Sequence, residues 1–303
     1  MREILVISGK GGTGKTSLTA AFAHLSQNAV LCDLDVDAPD LHLILRPEPA
    51  KATPFVSGFD ACIDRRKCSQ CGTCAEMCRF QAVHRNGTGF TVDSVRCEGC
   101  GVCVHFCPEK AIDFTPKQCG TWGIANTRFG PLVHAQLFPG EENSGRLVAL
   151  LRRESKALAQ KNGAGMILSD GPPGIGCPVI SALSGITMAV IVTEPTPSGL
   201  HDLERVAALC AHFRVPCAGL INKCDLNAGV TGQIRSFCAG RRMPILAELP
   251  HDADFVRAMV QGRAITEYSD GSVARQLRKA WAQICEGVAP EGHHRTREGI
   301  RSP

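Results

Sequence analysis

The stretch EILVISGKGGTGKTS, residues 3–17, decides the fold of this chain. Its first six residues form a short apolar run, which is typical of a strand buried on both faces of a parallel sheet. Residues 9–16, GKGGTGKT, follow at once and fit the spacing G-x-x-x-x-G-K-[ST]. A glycine-rich turn between a strand and a helix predicts an α/β protein whose first strand ends at a ligand site.

The residue types in this turn suit the binding of a phosphate chain. Glycines allow backbone N–H groups to converge on phosphate oxygens, and the following helix presents its positive end to them. Lys15 can reach the β- and γ-phosphates of a nucleotide, and Thr16 can ligate Mg²⁺. A glycine-rich turn without a ligand is the alternative, but the position of the motif directly after a strand argues against it. The loop residues predicted to bind nucleotide are Gly9, Lys10, Gly11, Gly12, Thr13, Gly14, Lys15 and Thr16.

A second lysine, Lys10, stands at the start of the loop. A long cation in this position cannot easily fold back onto phosphates that its own loop already surrounds. From a facing subunit it could neutralise phosphate charge, as an arginine finger does. Lys10 is therefore a candidate catalytic residue supplied across a dimer, and a solvated surface lysine is the alternative.

Further short apolar runs alternate with amphipathic stretches along the chain. The runs are 28–35, 165–170, 187–194, 217–222 and 244–249, and the amphipathic stretches include 144–160, 198–213 and 252–260. Buried strands that alternate with helices predict an α/β fold, a doubly wound and mostly parallel sheet with helices on both faces.

Composition narrows the class of protein. The chain has 303 residues, a formal net charge of +4 and acids and bases that are interspersed, so no nucleic-acid or membrane partner is implied. The first apolar run is too short for a signal peptide or a membrane span, and we expect a cytoplasmic protein. Seventeen cysteines in such a chain favour metal binding over a disulfide framework, because reducing compartments keep thiols free and an odd number cannot all pair.

Eight of the cysteines form two motifs of the pattern C-x₂-C-x₂-C-x₃-C, which begin at Cys68 and Cys97 and repeat after 29 residues. This is the spacing of bacterial ferredoxins with two [4Fe–4S] clusters, in which the fourth cysteine of each motif serves the other cluster. A zinc ribbon needs only paired C-x₂-C knuckles and would leave four cysteines without a role. The predicted ligands are Cys68, Cys71, Cys74 and Cys107 for one cluster and Cys97, Cys100, Cys103 and Cys78 for the other.

The two cysteine motifs interrupt the α/β pattern. We therefore predict a P-loop domain in two parts, residues 1–58 and 117–288, with an inserted α+β ferredoxin domain of the bacterial type at 59–116. The final stretch, 289–303, lacks apolar periodicity and is predicted to be disordered.

Acidic residues follow two of the predicted strands. Asp33, Asp35 and Asp37 come at the end of the second strand, and Asp170 begins the segment DGPPG at the end of another. Open α/β sheets bind ligands at the carboxyl edge of their strands, so we expect these carboxylates to lie near the phosphate loop.

The segment KGGTGKT resembles the deviant Walker A motif of the MinD/ParA/Mrp superfamily, which includes the nitrogenase iron protein and forms nucleotide sandwich dimers. The resemblance implies that Asp35 positions the attacking water, that Asp170 holds Mg²⁺ through water and that Asp33 is a second contact to the metal shell. Asp37 is expected to be a solvated loop residue. The segment 170–174 resembles a switch in which the Gly174 amide senses the γ-phosphate.

The segment LINKCDLN places Asn222 and Asp225 after a strand, in the N-K-x-D arrangement with which GTPases read guanine. In the MinD-like group an asparagine at this point commonly contacts adenine, so the resemblance favours ATP, with GTP as an alternative. An Asx-turn without contact to a base is the other interpretation.

Nine cysteines lie outside the two motifs. Most fall within predicted strands or helices and are interpreted as small buried hydrophobes, whereas Cys62 and Cys119 flank the insertion as spare thiols. Cys177 lies seven residues after Asp170, which resembles the position of a bridging-cluster cysteine in the nitrogenase iron protein. Packing at a helix end is the alternative for Cys177.

The residues of 127–148, 170–186 and 192–206 are similar to MinD-superfamily ATPases that carry an inserted ferredoxin domain, including those associated with the orange protein complex. The resemblance implies a homodimer or a heterodimer with a paralogous ATPase, and a redox or metal-cofactor client protein. The leading hypothesis is an ATPase whose nucleotide-dependent dimer closure is coupled to electron transfer or metal-cluster handling. The alternative is an iron–sulfur cluster carrier, similar to the Mrp-type assembly factors, in which ATP is a regulator.

Overall fold

The structure is a computed structural model that describes residues 1–287. Residue 288 and the predicted disordered tail, 289–303, lie outside the described residues. The chain forms two compact units. We call the first the α/β unit, which comprises residues 1–51, 123–135 and the described residues from 144 to 287. We call the second the cysteine unit, which comprises residues 52–122 and 136–143.

The described residues contain eleven strands. They are β1 (Arg2–Ser8), β2 (Ala29–Asp33), β3 (Thr53–Ile63), β4 (Val83–Asn86), β5 (Gly89–Val92), β6 (Ile112–Thr127), β7 (Gly130–Leu137), β8 (Met166–Pro173), β9 (Met188–Thr193), β10 (Cys217–Asn222) and β11 (Ile245–Leu249).

The same part of the chain contains eleven helices. They are α1 (Lys15–Leu25), α2 (Leu41–Leu45), α3 (Thr73–Glu76), α4 (Val102–Phe106), α5 (Ser144–Asn162), α6 (Cys177–Leu183), α7 (Pro197–His212), α8 (Ala228–Gly240), α9 (Asp254–Val260), α10 (Ile265–Tyr268) and α11 (Ser272–Glu286). Among residues 1–287, no helix combines the length and the apolar character that crossing a membrane requires.

The α/β unit is built on a sheet with the strand order β11-β10-β9-β1-β8-β2-β7, in which the pairings of β1, β2, β9 and β10 are parallel. All six apolar runs predicted as strands form strands of this sheet. The prediction of an α/β fold with a mostly parallel sheet is confirmed. Strand β7 is the strand of this order that the apolar runs do not predict.

Strand β1 is buried on both of its faces, as its continuous apolar run predicted. Ile4 and Val6 belong to a core that includes residues of α1 and α11, while Leu5 and Ile7, which point the opposite way, are also fully buried. On the α1 side, Phe22 stacks against Trp281 of α11 with ring centroids 5.4 Å apart. Packing on both faces fixes the end of β1, from which the phosphate loop leaves.

The cysteine unit has its own small core. Strand β3 pairs antiparallel with β6 from Thr53–Trp122 to Ile63–Ile112, and β4 pairs with β5 in a hairpin. Four residues form the buried core: Cys74, Val83, Phe90 and Ile112. The predicted insertion, 59–116, lies within this unit, which extends from 52 to 122 because the β3–β6 pairing continues beyond the cysteine motifs.

Candidate functional site

The phosphate loop connects the buried end of β1 to the first turn of α1. Gly14 has a φ of 90° in the left-handed region, and a Cβ atom there would lie 2.5 Å from Nδ2 of Asn222. Both the backbone conformation and the space therefore require glycine at this position. The loop thus delivers Lys15 at the start of the helix, as the motif predicted.

Lys15 lies among carboxylates at the carboxyl edge of the sheet. Its Nζ is 3.0 Å from Oδ2 of Asp170 and 3.4 Å from Oδ2 of Asp35, and only 7% of the lysine side chain is exposed. Burial alone would lower the pKa of Lys15, but attraction to Asp170, Asp35 and Asp33 outweighs burial and raises the pKa. Lys15 is therefore held as a cation in a buried position.

Asp170 is fully buried within β8 and accepts hydrogen bonds on both oxygens. The Thr16 hydroxyl donates to Oδ2 at 2.7 Å, and the Thr19 hydroxyl donates to Oδ1 at 2.8 Å. The structure thus brings together Thr16 and Asp170, two of the three residues predicted for the magnesium shell. The sequence reasoning missed Thr19, although it lies one helical turn after Lys15 on the same face of α1.

Asp33 lies beside Asp170 because the two residues are partners in the parallel register of β2 and β8. Asp33 is fully buried, and its carboxylate accepts hydrogen bonds from the backbone N–H groups of Asp35 and Leu41. Burial and then repulsion from Asp170 raise the pKa of Asp33 well above the ordinary value for a carboxyl group. Burial also raises the pKa of Asp35, with Lys15 acting in the opposite direction.

A cleft of about 550 Å³ opens beside these groups. The lining includes loop residues 11–17, Asp35, Asp37 and Asp40, together with the apolar side chains of Leu43, Ile44 and Met259. Asp37 is exposed at the rim, as expected for a solvated loop residue. The cleft thus joins a polar wall, made of the phosphate loop and carboxylates, to an apolar wall.

Gly174 has a left-handed φ of 88°, and its N–H donates to the Ser8 carbonyl at 2.9 Å. The predicted sensor amide is therefore bonded to the residue at the end of β1. This bond ties the segment after β8 to the entrance of the phosphate loop.

Lys10 is bonded within its own chain. Its Nζ lies 2.7 Å from Oε1 of Glu194, 3.1 Å from Oγ1 of Thr196 and 3.2 Å from Oγ of Ser198. These three partners follow β9, and the sequence reasoning did not identify them as site residues. A signal was present, since Glu194 ends the apolar run 187–194 as Asp170 ends the apolar run 165–170.

Asn222 and Asp225 lie outside the lining of the cleft. The Asn222 amide donates to the Thr13 carbonyl at 2.8 Å, and Oδ1 of Asp225 accepts the N–H of His251 at 2.7 Å. Asn222 therefore braces the phosphate loop. Lys223, between these two residues, donates to Glu194 at 3.1 Å.

In the cysteine unit, the eight motif cysteines line two separate cavities. Apolar side chains complete each lining, with Ile63, Phe90 and Ile112 in the first and Phe80, Val92 and Phe114 in the second. The first cavity contains Cys68, Cys71, Cys74 and Cys107, and the second contains Cys78, Cys97, Cys100 and Cys103.

The two cavities repeat each other's local structure. The backbone N–H of Ala82 donates to Sγ of Cys78, and that of Ala111 donates to Sγ of Cys107, both at 3.3 Å. Each donor and acceptor in the second pair lies 29 residues after its counterpart, which is the period of the sequence motif. The fourth cysteine of each motif therefore has the same backbone environment.

Within residues 1–287, no group of three or more histidine, cysteine, aspartate or glutamate side chains is arranged to hold a single metal ion. A cubane cluster is larger than one ion, and its four thiolate ligands stand farther apart. Whether the two cavities suit a cluster therefore depends on their donor atoms.

The remaining cysteines differ in exposure. Cys119 is buried in β6 and donates to the Ser57 carbonyl, so it is not a spare surface thiol, whereas Cys62 is exposed. Cys177 is exposed at the first residue of α6. Of those interpreted as buried hydrophobes, Cys32, Cys210 and Cys238 are buried, and Cys217, Cys224 and Cys285 are partly exposed.

Comparison with known proteins gives a family and a fold. Residues 4–265 match the sequence profile of the family described as CobQ/CobB/MinD/ParA nucleotide binding domain. An uncharacterised protein of Methanocaldococcus jannaschii is 32% identical over 289 residues, which covers 94% of this chain and 97% of that protein.

Two further similarities are more distant. A protein of Drosophila grimshawi, named cytosolic Fe–S cluster assembly factor Nubp1 homolog, is 28% identical over 144 residues, with 41% of this chain and 45% of that protein covered. The structure of septum site-determining protein MinD from Pyrococcus horikoshii, complexed with Mg-ADP, is 16% identical. The similarity covers 95% of this chain and 98% of the MinD chain with a TM-score of 0.57, which shows a shared fold.

The raised pKa of Asp33 gives a prediction about pH and stability. An unfolded chain ionises Asp33 at the ordinary carboxyl value, whereas the folded chain retains the proton to higher pH. Asp33 therefore costs stability as the pH rises from the ordinary carboxyl value through the raised pKa. We expect the free energy of unfolding of Asp33→Asn to rise relative to that of wild type as the pH is raised from about 5 to about 8.

Urea unfolding at both pH values, without nucleotide or magnesium, measures this change. Asp37→Asn is the control, because Asp37 is an exposed carboxylate in the loop that follows the same strand. A relative stability of Asp33→Asn that stays constant or falls with rising pH would contradict the prediction.

Proposed function

The chain belongs to the CobQ/CobB/MinD/ParA nucleotide-binding domain family, and on this premise we propose that it is an ATPase with a resident pair of iron–sulfur clusters. ATP-dependent dimer closure would be coupled to electron transfer or to metal-cluster handling for a partner protein. The observation that carries the hydrolytic part is Lys15, buried within 3.4 Å of two carboxylates at the end of a phosphate loop.

The donor groups at the loop fit a magnesium nucleotide. Lys15 supplies a cation for the phosphates, and Thr16 and Asp170 supply oxygen atoms, which Mg²⁺ prefers. Asp33, Asp35 and Asp170 outnumber the single ammonium of Lys15, and burial and repulsion from Asp170 raise the pKa of Asp33. An added divalent cation would offset this repulsion and favour the ionised carboxylates. When bound, Mg²⁺ supplies neutralisation of phosphate charge.

Hydrolysis would proceed by in-line attack of water on the γ-phosphate. Asp35, which is half-buried at the cleft, is the residue proposed to orient that water. Lys15 would stabilise the charge that develops on the phosphate oxygens, and Lys10 of a facing subunit would add a second cation. The base would bind near Asn222 and Asp225, and we favour adenine, with guanine as the alternative.

The two cysteine cavities fit a pair of [4Fe–4S] clusters by donor type. Each is lined by four thiols and by apolar side chains, and backbone N–H groups already donate to one sulfur in each set. The first set, ending with Cys107, and the second, beginning with Cys78, would each hold one cluster. When bound, such clusters supply one-electron exchange.

The second candidate function is an iron–sulfur cluster carrier in which ATP regulates and the clusters are cargo. The partial similarity to a protein named as a cytosolic Fe–S cluster assembly factor favours this candidate. The acting unit in either case would be a homodimer or a heterodimer with a paralogous ATPase, since Lys10 is proposed to act across subunits.

Substitutions of the two loop lysines distinguish an effect on nucleotide binding from an effect on turnover. We expect Lys15→Ala to weaken both nucleotide binding and hydrolysis, and Lys10→Ala to retain binding while turnover falls by about 10³-fold, as for loss of an arginine finger. Phosphate release and the affinity for a fluorescent ATP analogue measure these effects. Lys161→Ala, on an exposed helix end, is the control. Wild-type turnover in both loop variants would remove the catalytic assignment.

Paired cysteine substitutions test the exchange of the fourth ligand. Anaerobically purified wild type should contain about eight iron atoms per chain. Cys74→Ala with Cys107→Ala removes ligands of one cluster and should leave about four, whereas Cys103→Ala with Cys107→Ala affects both clusters and should leave almost none. Unexchanged motifs predict the reverse order. Cys62→Ala, an exposed thiol outside both cavities, should retain all the iron.

Transfer to an apo-ferredoxin distinguishes electron transfer from cluster delivery. For the leading proposal we expect clusters that resist a chelator, cycle between redox states and change their EPR spectrum when ATP is added. Loss of iron to the chelator together with activation of the apo-ferredoxin would favour the carrier. Spectra and cluster transfer that are both indifferent to nucleotide would contradict coupling in either form.

A further inference from the structure

One carboxylate in the α/β unit holds two lysines from different loops. Glu194 follows β9, and its Oε1 lies 2.7 Å from Nζ of Lys10, while its Oε2 lies 3.1 Å from Nζ of Lys223. Lys10 begins the phosphate loop, and Lys223 lies in the N-K-x-D segment after β10. Glu194 therefore links the loop proposed for phosphate to the segment proposed for the base.

The hold on Lys10 uses its whole hydrogen-bonding capacity. An ammonium group has three donors, and Lys10 has three oxygen partners, Glu194, Thr196 and Ser198, within 3.2 Å. Charge-assisted bonds of this kind are stronger than bonds between neutral groups. Lys10 must exchange these partners before it can reach a phosphate outside its own subunit.

Release of Lys10 would not leave the carboxylate of Glu194 without a counter-ion. Glu194 is mostly buried, with 13% of its side chain exposed, and a buried carboxylate without a counter-ion is costly. Lys223 stays bonded to the other oxygen of Glu194 when Lys10 leaves. The shared carboxylate can therefore let Lys10 go while it retains one ion pair.

We propose that Glu194 is a positioning residue that holds Lys10 on its own subunit and sets how readily this lysine is released to the nucleotide of a partner subunit. The proposal rests on the proposed function, because only a lysine that acts across a dimer needs release. Glu194 would thus oppose closure of the dimer until nucleotide phosphates compete for Lys10.

The hold itself can be measured in the full-length protein without nucleotide. An amine engaged by three oxygen acceptors reacts slowly with an acylating reagent, so we expect Glu194→Gln to label at Lys10 several-fold faster than wild type. Glu194→Asp keeps the charge and should label at close to the wild-type rate. Glu204→Gln, an exposed glutamate of α7, is the matched control. Equal labelling of Lys10 in wild type and Glu194→Gln would overturn the hold.

The release of Lys10 is tested through dimerisation in the presence of a non-hydrolysable ATP analogue, which sedimentation measures. We expect Glu194→Gln to dimerise about tenfold more tightly than wild type, since it lacks one charge-assisted bond to Lys10. In a Lys10→Ala background the same substitution should have no effect. A tightening that persists without Lys10, or none in its presence, would overturn the proposal. If wild type fails to dimerise with nucleotide, the proposed function fails, and the labelling still decides whether Glu194 holds Lys10.

Discussion

Three carboxylates converge on one buried ammonium at the carboxyl edge of the sheet, and the nucleotide site depends on this imbalance. Asp33 and Asp170 are fully buried, Asp35 lies at the cleft, and Lys15 is their common cation. The register of β2 and β8 places Asp33 beside Asp170. Burial and repulsion from Asp170 raise the pKa of Asp33. An added divalent cation would relieve this repulsion and let both carboxylates ionise.

In the cysteine unit, a sequence repeat of 29 residues gives the two halves the same local structure. Gln70 and Gly99 both have positive φ values, 58° and 60°, at the same point of their motifs. The halves also bond to each other reciprocally, since the N–H of Asp64 donates to the Ala111 carbonyl and that of Asp93 donates to the Ala82 carbonyl. Each half is thus completed by the end of the other, and this exchange brings the fourth cysteine of each motif to the other half's cavity.

Continuous patterns in the sequence predicted most of the fold and of the phosphate site. The six apolar runs identified strands because a strand that is buried on both faces is apolar at successive positions and does not alternate with polar residues. The position of Asp170 could be predicted because it ends such a run. Strands β3 and β6 escaped prediction since they are partly exposed and pair across about fifty intervening residues. The partners of Lys10 escaped for a related reason. The position of Glu194 directly after β9 places it near the carboxyl edge of the sheet, but no local pattern indicates that its partner is a lysine of the first loop.

Most polar groups of the nucleotide site are bonded to one another, and this determines how a ligand can act on them. Thr16 donates to Asp170, the Gly174 amide donates to Ser8, and Lys10 is held by Glu194. A phosphate or a cation that takes any one of these groups must displace its protein partner. Binding therefore exchanges bonds between segments that follow β1, β8 and β9. Each exchange frees a second protein group. A ligand bound at the phosphate loop can therefore change hydrogen bonds at the ends of several strands without any change in the packed core.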